Sequence, residues 1–260
     1  MGGLVARHAL GLLYDKTTNR IAGVAPAHYV SLATPHLGCS HEPASPAQVP
    51  LISWIKPPAV VAAVAVERAA RSMGRTGAHF FLTDGDPPLL LRMARDDVGA
   101  PPFRSALASF ATRTAYANSS GDHLVSWAGS SLRHPRDLPS LAGLAPGRGV
   151  VRDDGRAAAF GGPSTAVDGG RLDTPTTAAA DAAQAAEPHA AAMLDSLASL
   201  GWRRVDACFK GTRLPFTAHN LIQATRLWMN WEGVDHVDHV VRELVGVDGE
   251  LVRRWGAEGK

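Results

Sequence analysis

Three short runs of β-favouring residues do most to limit what this chain can fold into: HYVSLA at 28–33, ATRTAYA at 111–117 and WRRVDACF at 202–209. Residues 4–14, before the first run, are apolar nearly all round with Arg7 and His8 the only strongly polar members, which suits a helix covered by other elements. The first run stops at Thr34-Pro35 and the second runs into the turn Asn118-Ser119-Ser120-Gly121. The third is followed by a loop to His219, a mixed helix at 220–231 and a final helix at 234–245. Helix, strand, insertion, strand, insertion, strand, helix is the pattern of the second half of a doubly wound α/β fold, a mostly parallel sheet with helices on both faces. Ligands of such sheets lie at the carboxyl ends of the strands, so chemistry is sought in the loops that leave them.

The 260 residues, 45% of them hydrophobic, suffice for a substantial core, and one domain over 1–260 is expected. Two stretches read as insertions. Residues 39–76 hold a proline-rich loop and a helical segment at 60–73, and with Trp54, Ile55 and the valine run they suit either a lid over an acyl chain or an ordinary covering helix. Residues 141–200 contain 17 alanines and 8 glycines with Phe160 the only aromatic, a low-complexity composition expected to form a disordered surface insertion.

A net charge of +2, from 26 basic and 24 acidic residues, creates no field that would gather phosphates, so nucleic acid is not an expected partner. Cys39 and Cys208 make neither a disulfide framework nor a zinc spacing, and neither a metal nor a cofactor is expected. The most apolar run, AVVAAVAV at 59–66, is far shorter than the roughly 20 residues a membrane-crossing helix needs, which leaves peripheral membrane contact as the only expected kind. The amino terminus lacks the basic start, long apolar region and cleavage site of a secretory signal, so a cytoplasmic or organellar location is expected over secretion.

Two strand ends supply an acid and a base. Asp122 lies five residues beyond Ala117, and His219 ten beyond Phe209. A carboxylate that holds one imidazole nitrogen protonated lets the other nitrogen take a proton from a serine hydroxyl, and in α/β-hydrolases the order along the chain is serine, acid, histidine. Taken singly, Asp122 after Gly121 reads as a turn residue, and His219 before Asn220 as a helix-start or core residue.

Five segments in order, MGGLVARHALGLLY, SLATPHLG, RTGAHFFLTD with PPLLLRM, AYANSSGDHLVSW and RVDACFKGTRLPFTAHNLIQ, together resemble the lipase-like serine esterases, a family with an α/β-hydrolase fold. The resemblance implies a carboxylic ester hydrolase acting on lipid acyl esters by a Ser-Asp-His mechanism, with Asp122 the acid and His219 the general base. Its first segment is similar to the tail of G-H-S-M-G-G-L, whose serine is the nucleophile on a strained strand-to-helix turn. Met1 then follows the nucleophile directly, and its backbone nitrogen would belong to the oxyanion hole of an intact protein. On this reading the chain is truncated just after the serine, lacks activity alone and is poorly soluble by itself. Lipid or another acyl ester is the implied substrate.

Competing readings attach to other residues. Ala70-Arg71-Ser72-Met73-Gly74 matches a relaxed elbow, but the helix-favouring ERAAR at 67–71 separates Ser72 from any strand. His36 in TPHLG belongs to a prolyl turn and is assigned no catalytic role. His236 and His239, with Asp235 and Asp238, have an i, i+3 spacing that can hold a metal, yet a solvated amphipathic face is the favoured reading. Two functional alternatives remain: a scaffold that has lost its nucleophile, and an acyltransferase with the same triad.

Overall fold

Alternation decides how the first strand sits. The chain opens with α1 (Gly2–Leu13) and a two-residue hairpin, β1 (Tyr14–Asp15) with β2 (Arg20–Ile21), then enters β3 (His28–Leu32), whose Tyr29 and Ser31 are buried. In this computed structural model residues 2–38, 74–122, 125–140, 149–155, 178–224 and 226–258 are described. The other strands are β4 (Thr112–Asn118), β5 (Gly149–Asp153) and β6 (Arg203–Cys208), joined with β3 in the order β3-β4-β6-β5. β3, β4 and β6 are mutually parallel, while β5 runs antiparallel beside β6 with an irregularity between Val150 and Arg152. All three strands expected from the sequence are present, and β5 adds the antiparallel border common on otherwise parallel sheets.

The register divides side chains between two cores. Leu32 stands beside Tyr116, and with Val30, Val205 and Ala207 these pack against Ala218, Leu221 and Ile222. On the other face Tyr29 and Ala115 join Leu4, Phe103, Met193, Leu194, Leu197 and Trp202. Helices therefore cover both faces of a mixed sheet, the α/β arrangement expected from the sequence. Among the described residues the α-helices between β3 and β6 are α2 (Gly74–Phe80), α3 (Leu89–Arg92), α4 (Phe103–Ala108), α5 (Trp127–Ser131) and α6 (Ala178–Ala198). After β6 come α7 (Ala218–Leu221), α8 (Leu227–Asn230) and α9 (Val234–Glu258). Among the described residues no helix is long and apolar enough to cross a membrane.

Two expectations need amendment. Within 141–200, which reads as a disordered insertion, β5 and α6 are regular elements, and Ala190, Met193, Leu194 and Leu197 of α6 are wholly buried. Their i, i+3, i+4, i+7 spacing puts them on one helical face, where small alanines elsewhere do not obstruct packing. Residues 141–148 and 156–177 lie outside the described residues, as do 39–73 of the segment read as a lid. The face of α9 read as solvated is likewise different at His236, which is fully buried edge-on to Tyr116 at 4.9 Å between ring centroids.

Polar groups hold several of these layers. Arg7 of α1, buried, donates to the carbonyl of His36 at 3.2 Å and to that of Met93 at 3.0 Å. Arg203 pairs with Asp153 and Glu243, tying β6 to β5 and α9. Among the described residues His236 has no hydrogen-bond partner at either nitrogen; burial first, and the nearby His239 second, lower its pKa to about 4.

The native state thus keeps His236 neutral down to about pH 4, whereas the unfolded chain protonates it near 6.5. The unfolded state binds the extra proton, so stability falls as pH drops from 6.5 toward 4, by on the order of 3 kcal/mol from this group. Urea unfolding across that range measures it, and a His236→Phe variant, which keeps an aromatic ring against Tyr116, is expected to lose markedly less stability than the native chain.

Candidate active site

β4 and β6 are neighbours and parallel, so the loops leaving their carboxyl ends start side by side, Asn118 being in register with Ala207. The β4 loop carries Asp122 and the β6 connection carries His219 on α7. Asp122 Oδ2 lies 3.0 Å from His219 Nδ1. The carboxylate side chain is 2% exposed and the imidazole 20%, so the acid is enclosed while the histidine keeps an open edge. Two residues separated by 97 positions in the chain, singled out for their strand-end placement, are thereby brought into hydrogen-bonding contact.

The acid is oriented by its own loop. Asn118 Nδ2 donates to Asp122 Oδ2 at 2.8 Å, and the Val125 backbone N–H donates to Oδ1 at 3.0 Å. The base of the loop is fastened to β6, because both the backbone N–H and the hydroxyl of Ser119 donate to the Ala207 carbonyl, at 2.8 and 2.9 Å. Its far end is fastened too: Trp127 Nε1 donates to the buried Asp206 Oδ1 at 2.7 Å, and Arg133 Nη1 to the same oxygen at 2.6 Å. Charge-assisted bonds of this kind, sheltered from water, hold geometry firmly. His123 and Leu124 lie outside the described residues.

Gly121 sets how closely the two loops approach. Its φ of +75° is in the left-handed region, and a Cβ there would stand 2.2 Å from the carbonyl oxygen of Pro215, on the loop that leads to His219. No side chain fits. On the histidine's side, Ala218, Leu221 and Ile222 anchor α7 in the core, and Gln223 Nε2 donates to the His219 carbonyl at 3.0 Å.

The amino-terminal end of α1 reaches the same edge of the sheet. Gly3 abuts Thr34, where a Cβ would lie 2.2 Å from the hydroxyl oxygen, and Ala33 donates its N–H to the Tyr116 carbonyl at 2.8 Å. Thr34 follows the end of β3, the strand beside β4. Met1 and Ser72, the other residues weighed from the sequence, lie outside the described residues.

His36 is fully buried, with Nε2 3.0 Å from the Ser31 hydroxyl and Nδ1 3.5 Å from Arg7. Burial first, and the Arg7 charge second, hold its pKa well below the usual range, so it is a neutral structural imidazole. His239 lies 3.1 Å from the Tyr116 hydroxyl and 3.7 Å from Asp153. Among the described residues no group of three His, Cys, Asp or Glu side chains could hold a metal ion.

Asn118, Ser119 and Gly121 were legible only as a turn. Asn118 is instead the last residue of β4 and buried, and a polar residue ending a run of buried strand positions four before a carboxylate is the signal that could have marked it. A Gly121→Ala substitution is expected to destabilise the fold by about 1–3 kcal/mol beyond Gly201→Ala. Gly201 has a φ of +72° with nothing near its missing Cβ, so the difference in urea midpoints isolates the clash with Pro215.

Over residues 1–132, half of the chain, the sequence matches the model of the family described as "Putative serine esterase (DUF676)". The match takes in α1, β3, β4 and Asp122 and stops short of His219. No curated protein and no solved structure matches the chain. The chain belongs to the "Putative serine esterase" family.

Proposed function

We propose that Asp122 and His219 are the acid and general base of a carboxylic ester hydrolase that cleaves lipid acyl esters, within an α/β-hydrolase fold. The observation that carries this reading is the 3.0 Å contact between Asp122 Oδ2 and His219 Nδ1 at the carboxyl edge of the parallel strands. Family membership supports the esterase class.

In the proposed reaction the nucleophile is a serine immediately before Met1, at the amino-terminal end of α1. The packing of Gly3 on Thr34 supports that position, because it sets this end of the helix at the strand edge that also bears Asp122. His219 Nε2 takes the serine proton as the oxygen attacks the ester carbonyl. Asp122 accepts a hydrogen bond from Nδ1–H throughout without taking the proton, which fixes the tautomer and stabilises the imidazolium. The backbone nitrogen of Met1 helps hold the oxyanion. Collapse of the tetrahedral intermediate breaks the ester C–O bond, and His219 returns the proton to the leaving alcohol. Water, deprotonated by the same nitrogen, then releases the acid and restores the serine.

The test is ester hydrolysis by a chain extended through its upstream segment. His219→Ala is expected to lower kcat by at least about 10³-fold with little change in KM, since the base acts in the transition state. Undiminished turnover would remove His219 from the reaction.

A further inference from the structure

The segment that carries His219 also carries an unusual surface. Trp228 is 75% exposed, Trp231 51% and Leu214 38%, the large apolar side chains left exposed among the described residues of 203–233. Tryptophans at positions 228 and 231 are three apart along α8 and the 3-10 turn that continues it (Trp231–Gly233), and so lie on adjoining faces. Arg213 brings the loop before α7 to the same place, its guanidinium 5.9 Å from the centre of the Trp231 ring and its backbone N–H donating to Glu232 at 3.0 Å. Leu214 adjoins it.

This surface is locked to the helix that bears His219. A Cβ on Gly233 would stand 2.0 Å from the Leu221 carbonyl, so the turn holding Trp231 packs directly on α7. The Thr217 N–H donates to the Leu214 carbonyl at 2.9 Å, which fastens the other flank.

Charge narrows the choice of partner. Residues 210–231 contain Lys210, Arg213 and Arg226, all exposed, and no acidic residue. Glu232, next in sequence, is buried, so the first exposed acid beyond is Asp235. Indole rings prefer the boundary between hydrocarbon and water, where the apolar body is buried and the N–H stays wet, and arginine stems extend past them to reach headgroups. Tryptophan and leucine match the hydrocarbon boundary of a lipid surface, and a run of 22 residues with three exposed cations and no acid matches one with anionic headgroups.

We propose that the surface of Leu214, Trp228 and Trp231, with Arg213 against Trp231 and with the exposed Lys210 and Arg226 of the same segment, docks on a lipid–water interface carrying anionic headgroups and presents His219 to acyl esters held there. Only the second half rests on the proposed reaction; the docking is defined without it.

Vesicles of ether-linked phosphatidylcholine, with and without ether-linked phosphatidylserine, separate binding from hydrolysis because they hold no acyl ester. The full chain is expected to sediment with the phosphatidylserine vesicles, with a blue shift of tryptophan emission, and to be released by added salt. Trp228→Ser with Trp231→Ser is expected to weaken binding at least about tenfold, with an unchanged circular dichroism spectrum and thermal midpoint, as exposed positions allow. If the pair perturbs folding, Trp228→Ser alone, at the more exposed ring, reads the same effect. Arg213→Gln with Arg226→Gln is expected to abolish the preference for phosphatidylserine. Equal binding by the double tryptophan variant and the native chain, or no binding to either vesicle, overturns the proposal. So does a dimer in sedimentation equilibrium that the tryptophan substitutions dissociate without any vesicle binding, since the face would then belong to a second copy. Vesicle binding together with ester hydrolysis that is indifferent to His219→Ala leaves the docking surface standing and ends the proposed reaction.

Discussion

The approach of the β4 loop to the carbonyl of Pro215 is the constraint on which the site depends. Asp122 and His219 come from loops that leave different strands, β4 and β6, and neither loop alone has reason to hold the other. Parallel pairing of β4 with β6 brings their starting points to one edge, and the missing side chain at Gly121 allows the final approach. Ser119 on the Ala207 carbonyl then fixes the near end of the acid loop, and Trp127 with Arg133 on Asp206 fixes the far end. The 3.0 Å contact is therefore a consequence of sheet register transmitted through short, heavily bonded loops.

The same economy governs the buried polar groups. Arg7, Asp206, His36 and His236 are all enclosed, at positions where apolar side chains would pack without the cost of desolvation. Arg7 and Asp206 each bind elements distant in sequence, α1 to the loop after β3 and α5 to β6, and so act as pins between layers. His236 differs, because among the described residues neither ring nitrogen has a hydrogen-bond partner and the imidazole lies edge-on to the rings of Tyr116 and Phe209; burial that favours the neutral form makes the docking of α9 sensitive to acid.

The parallel strands were legible because alternating β-branched and aromatic residues bounded by turns leave few other options, as HYVSLA before Thr34-Pro35 illustrates. Asp122 and His219 were singled out by their order and distance beyond strand ends together with the family resemblance of the segments that hold them, and the structure brings the two side chains into contact. β5 was not, since Gly149–Asp153 pairs through its backbone with β6 and lies in an alanine- and glycine-rich context that masks strand propensity. The helix Ala178–Ala198 was hidden by composition, although the spacing of Ala190, Met193, Leu194 and Leu197 carries the signal. Burial of His236 could not be read from α9 itself, because Tyr116 and Phe209, which receive it, come from the region of two different strands. The contribution of Asn118 was obscured by the turn-like residues after it.

The central claim is that the Asp122–His219 pair serves a serine at the amino-terminal end of α1. Labelling of the upstream-extended chain with a fluorophosphonate, followed by mass spectrometric mapping of the adduct, tests it most directly. The account predicts a single adduct on the serine immediately before Met1, lost when His219 is replaced by alanine. An adduct on Ser72, or labelling that persists without His219, would contradict it.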